Sequence, residues 1–153
     1  GLDILPASSS FLVMIFFAVS TAAQDKKISK KKFHWGGVES DTTAGYTQAI
    51  QTGNVLYISG TVGFGKTMEQ QLKTLYQGLN QTLKQYGATV QNIVKENLYT
   101  TDIEATKAAN AVRKAFYKGD YPAATWVQVN RLYMAEALVE VELIAHLPMK
   151  SAQ

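Results

Sequence analysis

The chain has 153 residues, room for one domain, and no cysteine, which excludes a disulfide framework, a zinc–thiolate site and a cysteine nucleophile. Its formal net charge is +3, yet Lys26, Lys27, Lys30, Lys31 and Lys32 cluster in one short run with Asp25. Setting that run aside from the 15 basic and 12 acidic residues leaves 10 and 11, a net charge of −1, so the body of the chain lacks the distributed basic face that a nucleic-acid groove needs.

Residues 11–19 read FLVMIFFAV, followed by STAA and then QDKK. A short apolar run, small residues and a polar start form a secretory signal pattern, with cleavage expected after Ala23. The run falls short of the ~20 apolar residues that a membrane-spanning helix needs, so no stable membrane span is expected. The expected organisation is a signal over 1–23, a basic leader and first strand over 24–37, and a folded domain over 38–149. A genuine signal implies export, periplasmic or secreted; without it the protein is cytoplasmic.

FHWGG (33–37) reads as the end of a first short strand, and ESDTTAG (39–45) is turn-rich. Residues 46–51 and 55–59 read as two strands joined across Thr52, Gly53 and Asn54, a hairpin signal. A glycine-rich loop follows over 60–65. From 67 to 86 the apolar residues Met68, Leu72, Leu75, Tyr76, Leu79 and Leu83 recur in steps of three and four, one face of a helix that Gly87 stops. IVKENLYT (93–100) alternates as a strand. Thr101 or Asp102 caps a second helix over 103–118, whose buried side is expected to be Ala108, Ala111, Val112, Ala115 and Phe116. Pro122 opens an extended segment, and 125–129 and 138–147 read as two final strands. The order β-β-β-α-β-α-β-β is α+β, with a mainly antiparallel sheet. Two helices cover one sheet face, and an oligomer is the simple way to cover the other.

GTVGFGKT (60–67) matches the phosphate-binding pattern G-x-x-x-x-G-K-[ST]. Two features of the chain argue against a nucleotide site. ENLYTTD is a poor substitute for the hydrophobic strand that ends in a magnesium-binding Asp, and the chain offers too few βα units for a parallel sheet. The match is expected to be coincidental.

Five segments in unbroken order suggest another reading: GYTQAIQTGNVLYISG, NIVKENLYTTDIEA, ANAVRKAFY, YPAATWVQVNRL and LVEVELIAHL, from Gly45 to Leu147. Together they resemble the RidA/YjgF family, also known under the label endoribonuclease L-PSP. The resemblance implies a chorismate-mutase-like fold and a homotrimer with small-molecule pockets at its interfaces. It also implies hydrolysis of reactive enamines and imines to keto acids and ammonia, without metal or organic cofactor. Carried onto this chain, the family's pocket places Tyr46, Ser59, Gly60 and Asn110 around the ligand and Glu140 as the group that activates water. Glu142 lies two residues on and shares its face, because strand side chains alternate.

The resemblance breaks at Ala124, where the family's Pro-Ala-Arg becomes Pro122-Ala123-Ala124. The family's Arg forks onto a substrate carboxylate, a directional, charge-assisted contact that Ala cannot make. Trp126 brings a large ring to the same strand, beside Thr125. Arg131 is seven residues from Ala124, about 23 Å along a strand, and only an assembly could bring Arg113 or Lys66 to the pocket. Two functions are therefore expected in competition. One is a divergent imine hydrolase whose substrate needs no carboxylate; the other is a non-catalytic trimer that holds a small neutral or aromatic ligand against Trp126. His34 and His146 lack metal-ligand spacing.

Overall fold

The computed structural model describes residues 27–149, and the signal expected over 1–23 lies outside them. The strands are β1 (Lys31–Phe33), β2 (Ala49–Thr52), β3 (Val55–Val62), β4 (Ile93–Thr100), β5 (Ala123–Gln128) and β6 (Val139–His146). The helices are α1 (Val38–Ala44), α2 (Met68–Lys84), α3 (Ile103–Ala108) and α4 (Asn110–Tyr117). One six-stranded sheet runs in the order β1-β2-β3-β6-β4-β5. Every pairing is antiparallel except β4 with β5. The α+β class therefore holds, with one parallel pair at the edge.

The core forms where α2 lies on one face of the sheet. Leu72, Leu75, Tyr76, Leu79 and Leu83 of α2 meet Leu56 and Ile58 of β3, Leu98 of β4, and Val139, Val141 and Leu143 of β6. These strand residues sit at alternate positions, so Tyr57 and Ser59, Asn97 and Tyr99, and Glu140 and Glu142 point to the opposite face. Thr67 caps α2 with its hydroxyl on the N–H of Gln70, as Ser and Thr favour at that position.

Three expectations change. The turn-rich ESDTTAG forms α1, opened by Gly37 and closed by Gly45 in the left-handed conformation (φ 82°), whose N–H reaches the carbonyls of Asp41 and Thr42. The first strand lies two residues earlier, in the lysine run. The helix expected over 103–118 is two helices that break at Ala109, and its buried residues are Thr106, Arg113 and Tyr117. Ala108, Ala111 and Ala115 face solvent, and Val112 and Phe116 are half-buried.

The glycine-rich loop has its own structural explanation. Gly60 to Val62 extend β3 along β6. The N–H groups of Phe64 and Lys66 donate to Thr74 Oγ1 (2.6 Å) and Gln70 Oε1 (2.8 Å) of α2. A Cβ on Gly63 would lie 1.8 Å from the Gln71 carbonyl, so this glycine lets the helix pack directly on the loop. Backbone donors that would cradle a phosphate are turned to α2 instead, and the Thr67 hydroxyl is a helix cap.

Candidate functional site

β3 and β6 build the site together. Their register slips between Ile58 and Thr61, where β3 carries one extra residue. Such a bulge re-aims the side chains beside it, and it falls at Ser59 and Gly60. The Ser59 hydroxyl donates to the Thr47 carbonyl at 2.6 Å and its N–H to the Gln48 carbonyl at 2.9 Å, so Ser59 ties the bulge to the chain entering β2. A Cβ on Gly60 would lie 1.9 Å from Glu140 Oε1. The glycine is what lets the carboxylate lie flat on the strand.

Tyr46, Ser59, Gly60, Val62, Met134 and Glu140 line a cavity of about 410 Å³. Glu140 is half-buried, and its side chain makes no hydrogen bond to another described residue. Burial, with a smaller contribution from the charge of Glu142, raises its pKa above the ordinary carboxylate range. Glu142 is differently placed: its Oε1 accepts from Asn97 Nδ2 at 2.7 Å and from the Tyr99 hydroxyl at 3.0 Å. Of the two candidate carboxylates, Glu140 is the one free to act on a bound molecule.

Tyr46 faces this cavity from the turn after α1. Its phenol pKa is raised by burial first, then by Asp41 and Glu140. Asp41 is itself buried; its Oδ2 meets His34 Nδ1 at 2.7 Å and the Gln48 N–H at 3.3 Å. The His34–Asp41 pair thus braces the segment that presents Tyr46. Gln71 braces the opposite rim: its amide donates to the carbonyls of Gly65 (3.0 Å) and Glu136 (2.9 Å) and accepts from the N–H of Leu138 (2.8 Å). Neither brace is legible in the sequence, because both join segments that are local only in the fold.

The other expected site residues lie elsewhere. Asn110 opens α4, and its Oδ1 is buried without a hydrogen-bond partner among the described residues. Thr125 accepts from Lys95 Nζ at 3.1 Å. Ala124 is in register with Glu96, and Trp126 with Leu98, both on the helix-covered face of β4. Ala124 and Trp126 therefore point to the face opposite Glu140. One chain brings Tyr46, Ser59, Gly60 and Glu140 together; Thr125, in register with Asn97, shares their sheet face on the edge strand β5, while Ala124 and Trp126 face the helices and Asn110 sits on α4.

Trp126 packs against a cation the sequence left unplaced. Arg113, on the same face of α4 as Asn110 three residues earlier, donates from Nε to Glu96 Oε1 at 2.7 Å. Its guanidinium lies over Tyr117 (4.8 Å), Trp126 (5.5 Å) and Tyr121 (5.7 Å). Tyr76 and Tyr117 donate their hydroxyls to Glu96 Oε2 at 3.0 and 2.5 Å. Burial, reinforced by Glu96, holds both phenols far above their ordinary pKa, so they remain donors. For Arg113, burial pulls the pKa down, but the bonds to Glu96 outweigh it and the net shift is upward. The signal for this cluster was a Glu at a core position of an alternating strand.

The comparisons agree with this architecture. The sequence model of the family described as Endoribonuclease L-PSP matches residues 37–147. The chain belongs to the RidA/YjgF family. The RutC family protein UK114 of Drosophila melanogaster is 33% identical over 110 residues, covering 67% of this chain and 79% of the relative. A mouse relative named 2-iminobutanoate/2-iminopropanoate deaminase is 31% identical over 108 residues, covering 65% of this chain and 79% of its own. The crystal structure of a YjgF/YER057c/UK114-family member from Mycobacterium tuberculosis superposes with a TM-score of 0.72 at 27% identity, covering 78% of this chain and all of the other. Among the described residues, no helix is long and apolar enough to cross a membrane, and no group of three His, Asp or Glu is arranged to hold a metal.

Proposed function

We propose that the protein is a divergent RidA-family hydrolase of a small imine or enamine that needs no carboxylate for binding. The observation that carries this reading is the Glu140 carboxylate: half-buried, free of side-chain partners, raised in pKa and set against Gly60 beside Tyr46. Water attacks the C=N carbon while Glu140 takes its proton. Glu140 returns that proton to the nitrogen, giving the neutral carbinolamine; a second proton then passes from the new hydroxyl to the nitrogen by way of Glu140 as the C–N bond breaks, and a carbonyl compound and ammonia leave. Proton transfer by a positioned carboxylate contributes ~10²–10⁴ in rate, and a raised pKa brings the base closer to neutral pH. Tyr46, kept neutral by its raised pKa, donates a hydrogen bond at the site.

The active form is a homotrimer. Support for it comes from the division of the expected site between two faces of one chain. Tyr57 and Val127 leave apolar surface exposed on the open sheet face, where a second copy would cover it. Export follows from the signal pattern of residues 1–23.

The loss of the Arg at position 124 favours a second reading, a trimer that binds a small neutral ligand without turnover. Arg113 does not stand in for it while its Nε is held by buried Glu96. Ammonia release from freshly generated 2-imino acids and from neutral imines, with light scattering for the trimer, decides between them. Release from neutral imines that is abolished in Glu140→Gln supports the hydrolase. No release above buffer from any of them, in a protein that is a trimer, leaves the binding reading. Ala124→Arg is expected to extend activity to 2-imino acids.

A further inference from the structure

The Glu140 cavity does not end at Tyr46. Through Tyr46, Gly60, Val62 and Met134 it opens into a second lobe of about 520 Å³ that runs along α2. Three features of this lobe point to a ligand. First, it is floored by Gly78, a glycine inside a helix. Such a residue is less favourable than alanine inside a helix, and neither backbone nor packing calls for it here: its φ is not positive, and a Cβ would make only an ordinary 3.7 Å contact with Thr61 Cγ2. What the missing side chain leaves is space. Second, the rim is aromatic and exposed. Trp35 is held by an edge contact with Phe33 at 5.5 Å, and Phe64 faces it with 70% of its surface exposed. Third, the polar lining is uncharged. Gln77 and Gln81 flank Gly78 one helical turn apart, and their side-chain amides bond to no other described residue. Among the described residues, Glu140 is the only charged side chain lining either lobe.

We propose that this lobe is a specificity subsite for the ring of an uncharged, ring-bearing substrate, seated over Gly78 between Trp35 and Phe64 while its reactive carbon lies at Glu140. The inference deepens the function proposed above and rests on it for the position of the reactive end; the subsite itself stands on the geometry of the lobe. An amide or hydroxyl on the ligand bonds to Gln77 and Gln81. A carboxylate finds no cation there and meets the negative charge of Glu140, with Glu142 behind it.

The test is binding by the full chain, independent of turnover. Two probes of equal shape are titrated, 2-phenylacetamide and phenylacetate, with backbone amide NMR as the readout. The amide is expected to bind about tenfold or more tightly than the acid, a difference of about 1.4 kcal/mol, and to shift the resonances of Thr61, Gln77 and Gly78. Gly78→Phe fills the lobe and is expected to abolish binding. The double variant Gln77→Ala/Gln81→Ala, at exposed positions, retains the fold and weakens the amide several-fold. Gly78→Ala takes up part of that space: it raises the melting temperature and weakens amide binding, by less than Gly78→Phe. Glu140→Gln separates the two readings, since it removes turnover, keeps amide binding and narrows the gap between the probes. The subsite is overturned if phenylacetate binds as well as the amide to the unaltered protein, if neither probe binds, or if Gly78→Phe folds and binds undiminished.

Discussion

Glu96 and Glu140 stand on neighbouring strands of one sheet and have opposite fates. Glu96 faces the helices, is wholly buried and receives hydrogen bonds from Arg113, Tyr76 and Tyr117. Glu140 faces the other way and its carboxylate has no hydrogen-bond partner among the described residues. The strand period of two decides which face each enters, and the face decides what each can do. A carboxylate with both oxygens engaged holds structure together. One partly desolvated and unpaired has reactivity to offer, at some cost in stability.

The comparison breaks most severely at Arg113. Arg113→Met removes the guanidinium from a fully buried carboxylate and is expected to cost ~3–5 kcal/mol, read from urea denaturation. Adding Glu96→Leu to Arg113→Met is expected to recover much of that loss, because burying neither charge is often as good as burying both. An Arg113→Met protein as stable as the parent would show that the pair carries no structural load.

Next comes Glu140→Gln, expected to lower turnover by at least ~10²-fold without unfolding the protein. Stability should move the other way. The folded pKa of Glu140 is raised, so the folded state binds more protons than the unfolded one between the unfolded and folded pKa values. Its contribution to stability is therefore lost as pH rises through that window, and Glu140→Gln is expected to be the more stable protein at pH 7. Gly60→Ala is a subtler break: the new methyl pushes the Glu140 carboxylate aside, and turnover is expected to fall about tenfold with a melting temperature shift of only a few degrees, since the displaced atoms end a flexible side chain. The smallest change sharpens the contrast. Glu142→Gln removes the neighbouring charge that helps raise Glu140, so the acid limb of the pH–rate profile is expected to move only slightly to lower pH, because burial is the larger cause.

Legibility in the sequence follows the range of the interaction. α2 was readable from its three-and-four spacing and its Thr67 cap, and β4 from its alternation, because both signals are local. α1 was not: Ser, Asp, Thr and Gly have the composition of a turn, and what holds the helix is Asp41 reaching back to His34 and forward to Gln48. β3 ran past its expected end because β6, about eighty residues away in the chain, continues to pair with it through Thr61 with Val141 and Val62 with Glu140. The buried side of the second helix was expected to be its alanines, when Ala108, Ala111 and Ala115 face solvent and Arg113 is inside. The candidate site was legible as a set of residue types, but its division between two faces of the sheet required the register of β4 with β5.

The strand order carries one more consequence, for how the molecule is made. β6, the last strand in the sequence, lies between β3 and β4 and is hydrogen-bonded to both. Until it emerges from the ribosome, the hairpin of β2 and β3 and the parallel pair of β4 and β5 have no strand between them, and each exposes an open edge. Sheet assembly must wait for contacts distant in sequence, which slows folding, and unpaired edges of a nascent chain invite association with other chains. A chain cut short before Val139 is expected to lose the fold altogether, and premature termination is where this protein is most exposed to misassembly.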